Sequence, residues 1–517
     1  MIEIYLSDKA YENDVYPLVK AFYPEENIKV LEGQAEPFDP LGGSARITVK
    51  LRTDQIEIGL FGRESVQSET RLFAHPGEKN DFPEKLMLPP GLSRTQYKNA
   101  MKRFLYRLLS GASGQTLPWG ILTGIRPTKL VYELLEKGEE EQAVYNHMRE
   151  EYLCSDDKTA MSIRIARREA ELLEEMDYRN GYSLYIGIPF CPSTCLYCSF
   201  PSYSVTKYSD YVEQYLKALE KEIQYAATCF PEKKLTCVYF GGGTPTTLSA
   251  EQLDRLLGLV CGHFDFSCVK EFCVEAGRPD SITREKLEVL RKWGVDRISI
   301  NPQSMQLKTL DLIGRRHTVE QVREAFLLAR ETGHENINMD IILGLPGEDR
   351  EDVVDTLKQI KELNPESLTV HTLAIKRAAR LNIERENYSD KKASEVSGKA
   401  SQVSGKASQV SGMLEEALQF ARENDYLPYY LYRQKNMADN LENIGYSRYG
   451  REGLYNILIM EEKQTILALG AGGMSKFVFH RENRIERVNN VKSVTDYINR
   501  IDEMIERKRS FLKENEL

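Results

Sequence analysis

The sequence predicts an α/β protein: a partial (β/α)6 barrel, with an α+β extension before it and a mainly helical domain after it. From Ser183 onward, short apolar runs alternate five times with amphipathic segments at helical spacing. Such alternation is typical of a parallel sheet with right-handed crossovers. Several of the apolar runs are followed by loops of cysteines, glycines or charged residues. In barrels of this kind, functional groups gather at the carboxyl ends of the strands.

Apolar runs and helical periodicity define the elements of the barrel. The predicted strands are Leu184–Phe190, Leu235–Phe240, Glu271–Glu275, Arg297–Asn301, Ile337–Leu343 and Leu368–Ile375. The predicted helices are Tyr208–Ala227, Ala250–Cys261, Arg284–Trp293, Val319–Thr332 and Glu351–Leu363.

Composition divides the chain into five segments. We expect an α+β domain over 1–90, a helical region over 91–180, the barrel over 181–380, a flexible insertion over 389–412 and a C-terminal domain over 413–517. The insertion repeats Val-Ser-Gly-Lys-Ala-Ser-Gln from Val396 and again from Val403. Because the repeat has few large apolar residues, we expect it to build no core.

Charge and cysteine usage restrict the class of protein and its compartment. The 517 residues carry a net charge of −9, which argues against nucleic acid as a partner. No apolar run reaches the roughly 18–20 residues that span a bilayer, and the first residues do not resemble a signal peptide. Nine cysteines, an odd number with three clustered, indicate a reducing cytoplasm.

Three of the nine cysteines form the most informative motif of the chain. Cys191, Cys195 and Cys198 follow a predicted strand with the spacing Cys-x3-Cys-x2-Cys. A short loop with this spacing can direct three thiolates to one iron–sulfur cluster whose fourth iron stays open. A structural zinc site requires four ligands, and a disulfide requires an oxidising compartment. We interpret the other six cysteines as structural.

Polar residues at the ends of later strands are further site candidates. The run Gly241-Gly-Gly-Thr-Pro245 follows the second strand, where glycines let the backbone approach a ligand and expose N–H groups. Glu275 ends the third strand and Gln303 lies just past the fourth, and Arg315 follows in Gly314-Arg-Arg-His317. Asp340 is a charge embedded in the apolar strand Ile337–Leu343. The alternative for Glu275 and Asp340 is a salt bridge at the barrel rim.

These motifs, in this order, resemble the oxygen-independent coproporphyrinogen III oxidase family of radical S-adenosylmethionine (SAM) enzymes. The resemblance rests on the cysteine motif and on six further segments, which are Tyr185–Phe190, Phe240–Thr246, Val274-Glu275, Arg297–Gln303, Gly314–His317 and Asp340–Pro346. Leu117–Pro127 and Tyr429–Met437 are similar to the coproporphyrinogen dehydrogenase branch of that family. The motifs that carry the resemblance extend over about four fifths of the chain.

The resemblance implies a TIM-like radical SAM barrel with a [4Fe–4S] cluster held by Cys191, Cys195 and Cys198. The positions that match SAM contacts are Tyr185, Tyr197, Gly242, Gly243, Thr244, Glu275, Gln303, Arg315, Asp340 and Ala374. The implied reaction is decarboxylation of coproporphyrinogen III to protoporphyrinogen IX by a 5′-deoxyadenosyl radical. We expect a tetrapyrrole substrate, an electron donor such as flavodoxin or ferredoxin, and a monomer. No catalytic residue of the protein itself is assigned.

Two other functions remain open at this point. A haem-binding chaperone of the same superfamily would keep the cysteine and glycine motifs, so these motifs do not discriminate. A radical SAM enzyme acting on another anionic substrate could use the basic window Arg94–Lys129, which contains no acidic residue. Cations near the barrel mouth would favour a substrate with several carboxylates. The candidates are His371, Lys376, Arg377 and Arg380.

Overall fold

The computed structural model describes residues 1–24, 26–33, 44–62, 84–124, 126–200, 202–374, 405–433 and 441–515. They form two compact units, one of Met1–Ala166 with Arg433–Leu441 and one of Arg167–Tyr432 with Glu442–Leu517. The segment boundary expected near residue 90 does not separate two units, because apolar side chains from both sides of it share one core. No helix in the described part of the chain is long and apolar enough to cross a membrane.

The first unit is an α+β body. Its strands are β1 (Ile2–Leu6), β2 (Ile28–Glu32), β3 (Ala45–Leu51), β4 (Gln55–Phe61) and β5 (Glu84–Met87). Its helices are α1 (Glu12–Phe22), α2 (Arg94–Ser113), α3 (Thr128–Glu136), α4 (Glu141–Tyr152) and the first half of α5 (Asp156–Glu175). The strand order is β2-β1-β3-β4-β5. Alternate side chains of β1 are buried, and α2 covers that face with Met101 and Leu105.

The second unit contains the barrel. Its first strands are β6 (Gly181–Ile188), β7 (Phe190–Cys191), β8 (Tyr203–Ser204), β9 (Lys234–Gly242), β10 (Glu271–Gly277), β11 (Arg297–Ile300), β12 (Ile337–Leu343) and β13 (Ser367–Thr372). The helices between them are α6 (Ser209–Ala226), α7 (Ala250–His263), α8 (Arg284–Lys292), α9 (Leu307–Leu312), α10 (Val319–Glu331) and α11 (Arg350–Leu363). Strands β6, β9, β10, β11, β12 and β13 pair in parallel in this order.

Local sequence explains why the barrel helices begin where they do. Helices α7, α10 and α11 each start with a capping box, in which Ser249, Thr318 and Asp349 accept an N–H of the first turn. A partner side chain three residues later bonds back to the backbone of the cap residue. Strands β9, β11 and β12 are buried along most of their length, as expected for a parallel sheet covered on both faces.

The C-terminal part of the chain extends the barrel sheet on both sides. Its strands are β14 (Leu427–Tyr432), β15 (Asn443–Ser447), β16 (Thr465–Leu469), β17 (Met474–Phe479) and β18 (Arg484–Asn489). Its helices are Gly405–Glu423, Leu454–Glu461, Val494–Asn499 and Ile501–Glu514. Strand β15 pairs with β13, and β16 pairs in parallel with β6. The sheet therefore has eleven strands in the order β14-β15-β13-β12-β11-β10-β9-β6-β16-β17-β18.

The structure corrects the expected end of the flexible insertion. Residues 389–404 lie outside the described residues, but the helix Gly405–Glu423 begins inside the predicted insertion. Val410, the last valine of the repeat, lies against Gly344, since a Cβ added at Gly344 would come within 3.3 Å of its side chain. Arg350 of α11 pairs with Glu416 of the helix Gly405–Glu423. Packing against α11 therefore orders a segment whose composition alone predicts no core.

Candidate functional site

The three motif cysteines lie in one loop at the carboxyl end of the barrel strands. Cys191 ends β7, and the pairing of β7 with β8 closes the loop. The Cys198 N–H donates to the Cys195 carbonyl at 3.3 Å, which makes the last part of the loop a tight turn. The Leu196 N–H donates to the Ile313 carbonyl at 2.9 Å. The cysteines are therefore held on a loop that is fastened to the barrel.

The three thiols influence one another, which shows that they are neighbours. The pKa of Cys191 is raised to about 11, mainly by burial and also by negative charge on Cys195 and Cys198, although the hydroxyl of Thr244 acts to lower it. The Cys191 Sγ lies 3.5 Å from that hydroxyl. Cys195 is buried, and none of the nine cysteines forms a disulfide. Three neighbouring thiolates require compensating positive charge, which bound iron supplies.

The donor set fits an iron–sulfur cluster better than a single metal ion. Within the described residues, no three His, Cys, Asp or Glu side chains converge on one metal position. A structural zinc ion requires four converging ligands, whereas a cubic cluster binds each thiolate through a different iron. Three free thiols on one anchored loop therefore fit a [4Fe–4S] cluster.

The glycine run at the end of β9 occupies positions where a side chain would not fit. Gly242 has φ +107°, and a Cβ added at Gly243 would lie 2.5 Å from the Phe190 carbonyl oxygen. The Gly243 N–H donates to the Ile188 carbonyl at 2.8 Å, and the Thr244 N–H donates to the Phe190 carbonyl at 2.7 Å. The expectation that the run exposes its N–H groups is therefore wrong for these two amides, because the cysteine loop already uses them.

Glu275 on β10 is a carboxylic acid whose surroundings disfavour its charge. Its pKa is raised to about 7, mainly by burial and also by the charge of Asp340, although hydrogen bonds from Tyr239 and the Gly242 N–H act to lower it. The Tyr239 hydroxyl donates to the Glu275 carboxylate at 2.6 Å. Glu275 is therefore partly protonated near neutral pH, and it is not the partner in a rim salt bridge that the sequence offered as an alternative.

A stack of three tyrosines stands beside Glu275. The rings of Tyr239 and Tyr455 are stacked at 4.4 Å, and Tyr185 lies at 6.2 Å from each of them. Tyr185 also approaches the glycine run, because a Cβ added at Gly242 would lie 3.1 Å from its hydroxyl. Tyr185, Glu275 and the glycine run are thus neighbours, as their positions in the motifs predict.

Asp340 on β12 keeps its charge although it is buried. Burial alone would raise its pKa, but His371, Asn338 and Thr369 outweigh burial and lower it. The Asn338 side-chain amide donates to the Asp340 carboxylate at 2.7 Å, and the His371 Nε2 lies 3.8 Å from the other oxygen. The other ring nitrogen of His371 lies 3.4 Å from the Tyr432 hydroxyl. His371 on β13 is therefore a neighbour of Asp340 on the adjacent strand β12.

Arg315, Tyr197 and Gln303 complete the set that the motifs predict at the barrel mouth. Arg315 is buried, donates to the Tyr197 hydroxyl at 3.2 and 3.3 Å and also donates to the Asn301 carbonyl. The Gln303 N–H donates to the Asp340 carbonyl at 2.9 Å. Within the described chain, the buried Gln303 amide oxygen has no hydrogen-bond partner. Such an oxygen needs a partner, which a ligand can provide.

One predicted SAM contact lies at the edge of the described residues, and three predicted cations of the barrel mouth lie beyond it. Ala374 is half-buried just after β13 and is the last described residue before 405. Lys376, Arg377 and Arg380 lie outside the described residues, so the cationic mouth that they would form stays a prediction.

Three side chains near the cysteine loop were not singled out from the sequence. Arg278 follows β10 directly and has its Nη1 3.8 Å from the Cys195 Sγ. His317 is 2% exposed, and both of its ring nitrogens lack a partner in the described part of the chain. Burial and Arg315 lower the pKa of His317 to about 3. Tyr239, which bonds Glu275, is the third. The position of Arg278 at a strand end is the signal that could have identified it.

The basic window Arg94–Lys129 is partly paired with acidic side chains of its own unit. Lys98 pairs with Asp14 at 2.7 Å, and Arg103 pairs with Glu151. Burial lowers the pKa of Lys102 to about 8. Lys129 pairs with Glu133, whereas Arg94 and Arg107 are exposed. Pairing therefore reduces the positive charge that the window offers to an anionic substrate and does not remove it.

A cavity of about 550 Å³ opens at the opposite end of the barrel. Lys270, Asp296 and Asn336 line it just before β10, β11 and β12, together with Arg168 and Tyr449. It therefore lies at the amino ends of the strands and is no part of the cysteine site.

Comparisons with known proteins agree with this geometry. The profile of the Radical SAM superfamily matches residues 185–360. The oxygen-independent coproporphyrinogen-III oxidase-like protein HemZ of Bacillus subtilis (strain 168) is 42% identical over 424 residues, which are 81% of this chain and 82% of that protein. The heme chaperone HemW of the same organism is 38% identical over 194 residues, 37% of this chain and 50% of the chaperone.

A solved structure of coproporphyrinogen III oxidase (HemN) from Escherichia coli aligns with 65% of this chain and 73% of its own. Its TM-score is 0.49 and its sequence identity is 24%.

Proposed function

The chain belongs to the family of the oxygen-independent coproporphyrinogen-III oxidase-like protein HemZ, within the radical SAM superfamily, and we propose that it decarboxylates coproporphyrinogen III to protoporphyrinogen IX. Proteins of this superfamily use a [4Fe–4S] cluster and SAM. The observation that carries the proposal is the extent of the HemZ match, 42% identity over 81% of the chain. A match of 424 residues extends well beyond the barrel, which supports a shared substrate as well as a shared cofactor.

In this proposal Cys191, Cys195 and Cys198 hold the cluster. They lie on one anchored loop, and none of them is in a disulfide. The cluster held by these three thiolates would supply, when bound, the single electron for cleavage of SAM, and so the radical chemistry that removes a hydrogen atom from a substrate propionate. Each propionate then loses CO2 and gives one electron to an external acceptor, which leaves a vinyl group. Two propionates react in turn.

We propose that the residues around the loop hold SAM. Asp340 stays ionised and can accept bonds from an ammonium or from ribose hydroxyls, and the buried cation of Arg315 suits a carboxylate. The other proposed contacts are Tyr185, Tyr197, Gly242, Gly243, Thr244, Glu275, Gln303 and Ala374. Gly243 and Thr244 would meet the ligand through their carbonyl, Cα or side-chain atoms, because their N–H groups are already bonded.

The electron donor must come from outside the chain in this proposal. The six cysteines beyond the motif are free, and no second metal-binding group occurs among the described residues. A flavodoxin or ferredoxin would supply single electrons. We further propose that the protein works as a monomer in the cytoplasm, where nine free cysteines stay reduced.

Product analysis tests the proposed reaction. Anaerobic, cluster-loaded protein is mixed with coproporphyrinogen III, SAM and a one-electron reductant. We expect a product that is two carboxylates lighter and one 5′-deoxyadenosine for each vinyl group. The matched control is Cys195→Ala, which should form neither product. SAM cleavage without any change in the porphyrinogen would contradict the proposed substrate.

A haem chaperone is the second candidate, because HemW is 38% identical over the barrel-sized segment of 194 residues. This function predicts tight haem binding and no decarboxylation under the same reducing conditions. Haem titration of the purified protein beside the product assay separates the two functions.

A further inference from the structure

Arg278 is a buried cation next to the proposed cluster ligands. It is the first residue after β10, and its side chain is 3% exposed. A charged group at this depth is tolerated only where its charge and its N–H groups are paired. The partners of Arg278 therefore indicate what the residue is for.

One edge of the guanidinium is fixed by a carboxylate. The Arg278 Nε donates to the Asp280 Oδ1 at 2.9 Å, and Nη2 donates to the Oδ2 at 2.6 Å. This bidentate arrangement fixes the plane of the guanidinium as well as its position. Asp280 thus fixes the direction of the third guanidinium nitrogen, Nη1.

The remaining nitrogen points at the cysteine loop. The Arg278 Nη1 lies 2.7 Å from the Ser193 hydroxyl, 3.1 Å from the Ser193 carbonyl and 3.8 Å from the Cys195 Sγ. Ser193 lies between the first two cysteines of the motif. Arg278 therefore brings a full positive charge and an N–H donor to the sulfur of a proposed cluster ligand.

We propose that Arg278 is a positioning residue that raises the reduction potential of the cluster through the Cys195 thiolate. One-electron reduction by the external donor adds negative charge to the cluster and its sulfurs, and no bond forms or breaks. A fixed cation and hydrogen bonds to the sulfurs stabilise that added charge. The inference rests on the proposed ligand role of Cys195 and holds for an oxidase and a chaperone alike.

The test is an anaerobic redox titration of the cluster-loaded protein, followed by the electron paramagnetic resonance signal of the reduced cluster. For Arg278→Met we expect the ratio of reduced to oxidised cluster at a fixed potential to fall at least tenfold, a midpoint shift of about 59 mV for one electron. Arg278→Lys keeps the positive charge but loses the planar guanidinium that bonds Asp280 and Ser193 at the same time, so its midpoint potential should shift less than that of Arg278→Met. If the ratio of reduced to oxidised cluster in Arg278→Met stayed within twofold of the wild-type ratio at the same potential, the inference would be overturned.

A second variant separates the potential from folding. Arg278→Met leaves Asp280 without its partner, whereas Arg278→Met combined with Asp280→Asn removes both charges. The double variant should still have a lower potential than the wild type, but by less than Arg278→Met alone, because it also removes the negative charge of Asp280. Loss of the cluster from every Arg278 variant would also overturn the inference, because the residue would then serve assembly.

Two controls complete the experiment. Arg284→Met removes an arginine that pairs with Glu331 and is 47% exposed, and it should leave the potential unchanged. Cys195→Ala should lose the bound iron. If Cys195→Ala retains the full cluster, the ligand assignment itself fails. If it loses the cluster while Arg278→Met keeps the wild-type potential, only the role of Arg278 fails.

Discussion

Glu275 is a buried site residue whose charge depends on its surroundings. Its pKa rises from 4.5 in an exposed carboxyl to about 7 in the folded protein. The folded protein therefore keeps a proton that the unfolded chain loses as the pH rises above 4.5. This stabilising contribution is complete below the unfolded pKa and is lost as the pH rises through the folded pKa.

We predict that Glu275→Gln removes this pH dependence. Between pH 5 and 8, the free energy of unfolding of the wild type should fall by about 2–3 kcal/mol relative to the variant. Urea unfolding of both proteins at several pH values measures the difference. Glu348 and Asp296, whose pKa values are also raised to about 7, are present in both proteins and cancel. A difference that stays constant with pH would show that Glu275 is not shifted.

The cysteines give a second prediction at the same scale. Replacing Cys191, Cys195 or Cys198 with Ala should abolish the cluster of about four irons per chain, because each thiolate binds one iron. Iron and sulfide analysis after anaerobic purification measures this. The matched control is Cys273→Ala, which removes a buried cysteine of β10 and should keep the iron. An intact cluster in a variant without all three cysteines would contradict the assignment.

Local patterns made part of this site predictable. Cys191, Cys195 and Cys198 occur in one loop, so their spacing alone indicates the chemistry, and the family comparisons confirm the cluster and SAM as cofactors. The bond between Tyr239 and Glu275 depends on the register of β9 and β10. The approach of Arg278 to Cys195 joins residues 83 positions apart. Sequence spacing does not encode such pairings.

Among the elements, the barrel strands were predicted well and the C-terminal strands were not. The run Ile337–Leu343 is entirely apolar except for Asn338 and Asp340, and β12 has these same bounds. Strand β18 is Arg-Ile-Glu-Arg-Val-Asn and is half-exposed. Its pairing with β17 orders it, and its own composition indicates no buried strand.

A buried charged network fastens the last helices to the barrel. Glu222 of α6 accepts from the Gly470 N–H at 2.8 Å, the Tyr497 hydroxyl at 2.5 Å and the Lys508 ammonium at 2.7 Å. The side chains of Glu222 and Lys508 are both fully buried. Each charge is tolerated there only because the other is present.

We predict that Lys508→Met destabilises the protein by about 3–5 kcal/mol, because it leaves the Glu222 carboxylate buried without its cation. Glu222→Gln combined with Lys508→Met should be milder, since no charge then remains buried. Chemical unfolding of the three proteins tests this. Lys513→Met, which removes another lysine of the same helix, is the surface control. Equal losses in the single and double variants would mean that lost packing causes the effect.

The helix Gly405–Glu423 changes the expectation for the repeat. We predict that deleting Val396–Ser404 leaves the melting temperature nearly unchanged, because long surface insertions cost little loop-closure entropy. Extending the deletion to Gly412 removes Val410, which lies against Gly344, and should lower the melting temperature by several degrees. Thermal unfolding of the two deletions gives the comparison. Equal melting temperatures would show that Gly405–Gly412 contributes nothing to stability.

The whole molecule contains two compact units, and each unit has one of the two tryptophans of the chain. Trp119 lies in the unit of Met1–Ala166 and is fully buried. Trp293 lies in the barrel unit, where its indole N–H donates to Asp254 at 2.7 Å. Since a ligand stabilises the unit that binds it, the cluster should protect the barrel unit.

Two single-tryptophan variants make this measurable. Trp119→Phe leaves Trp293 as the only probe of the barrel unit, and Trp293→Phe leaves Trp119 as the only probe of the other. We predict that loading the cluster slows the loss of the Trp293 signal in a fixed urea concentration at least tenfold and changes the Trp119 rate less than twofold. Cys195→Ala in the Trp119→Phe background should remove the protection. If both signals slowed equally, the two units would unfold as one, and the stabilisation by the cluster would extend through the entire chain.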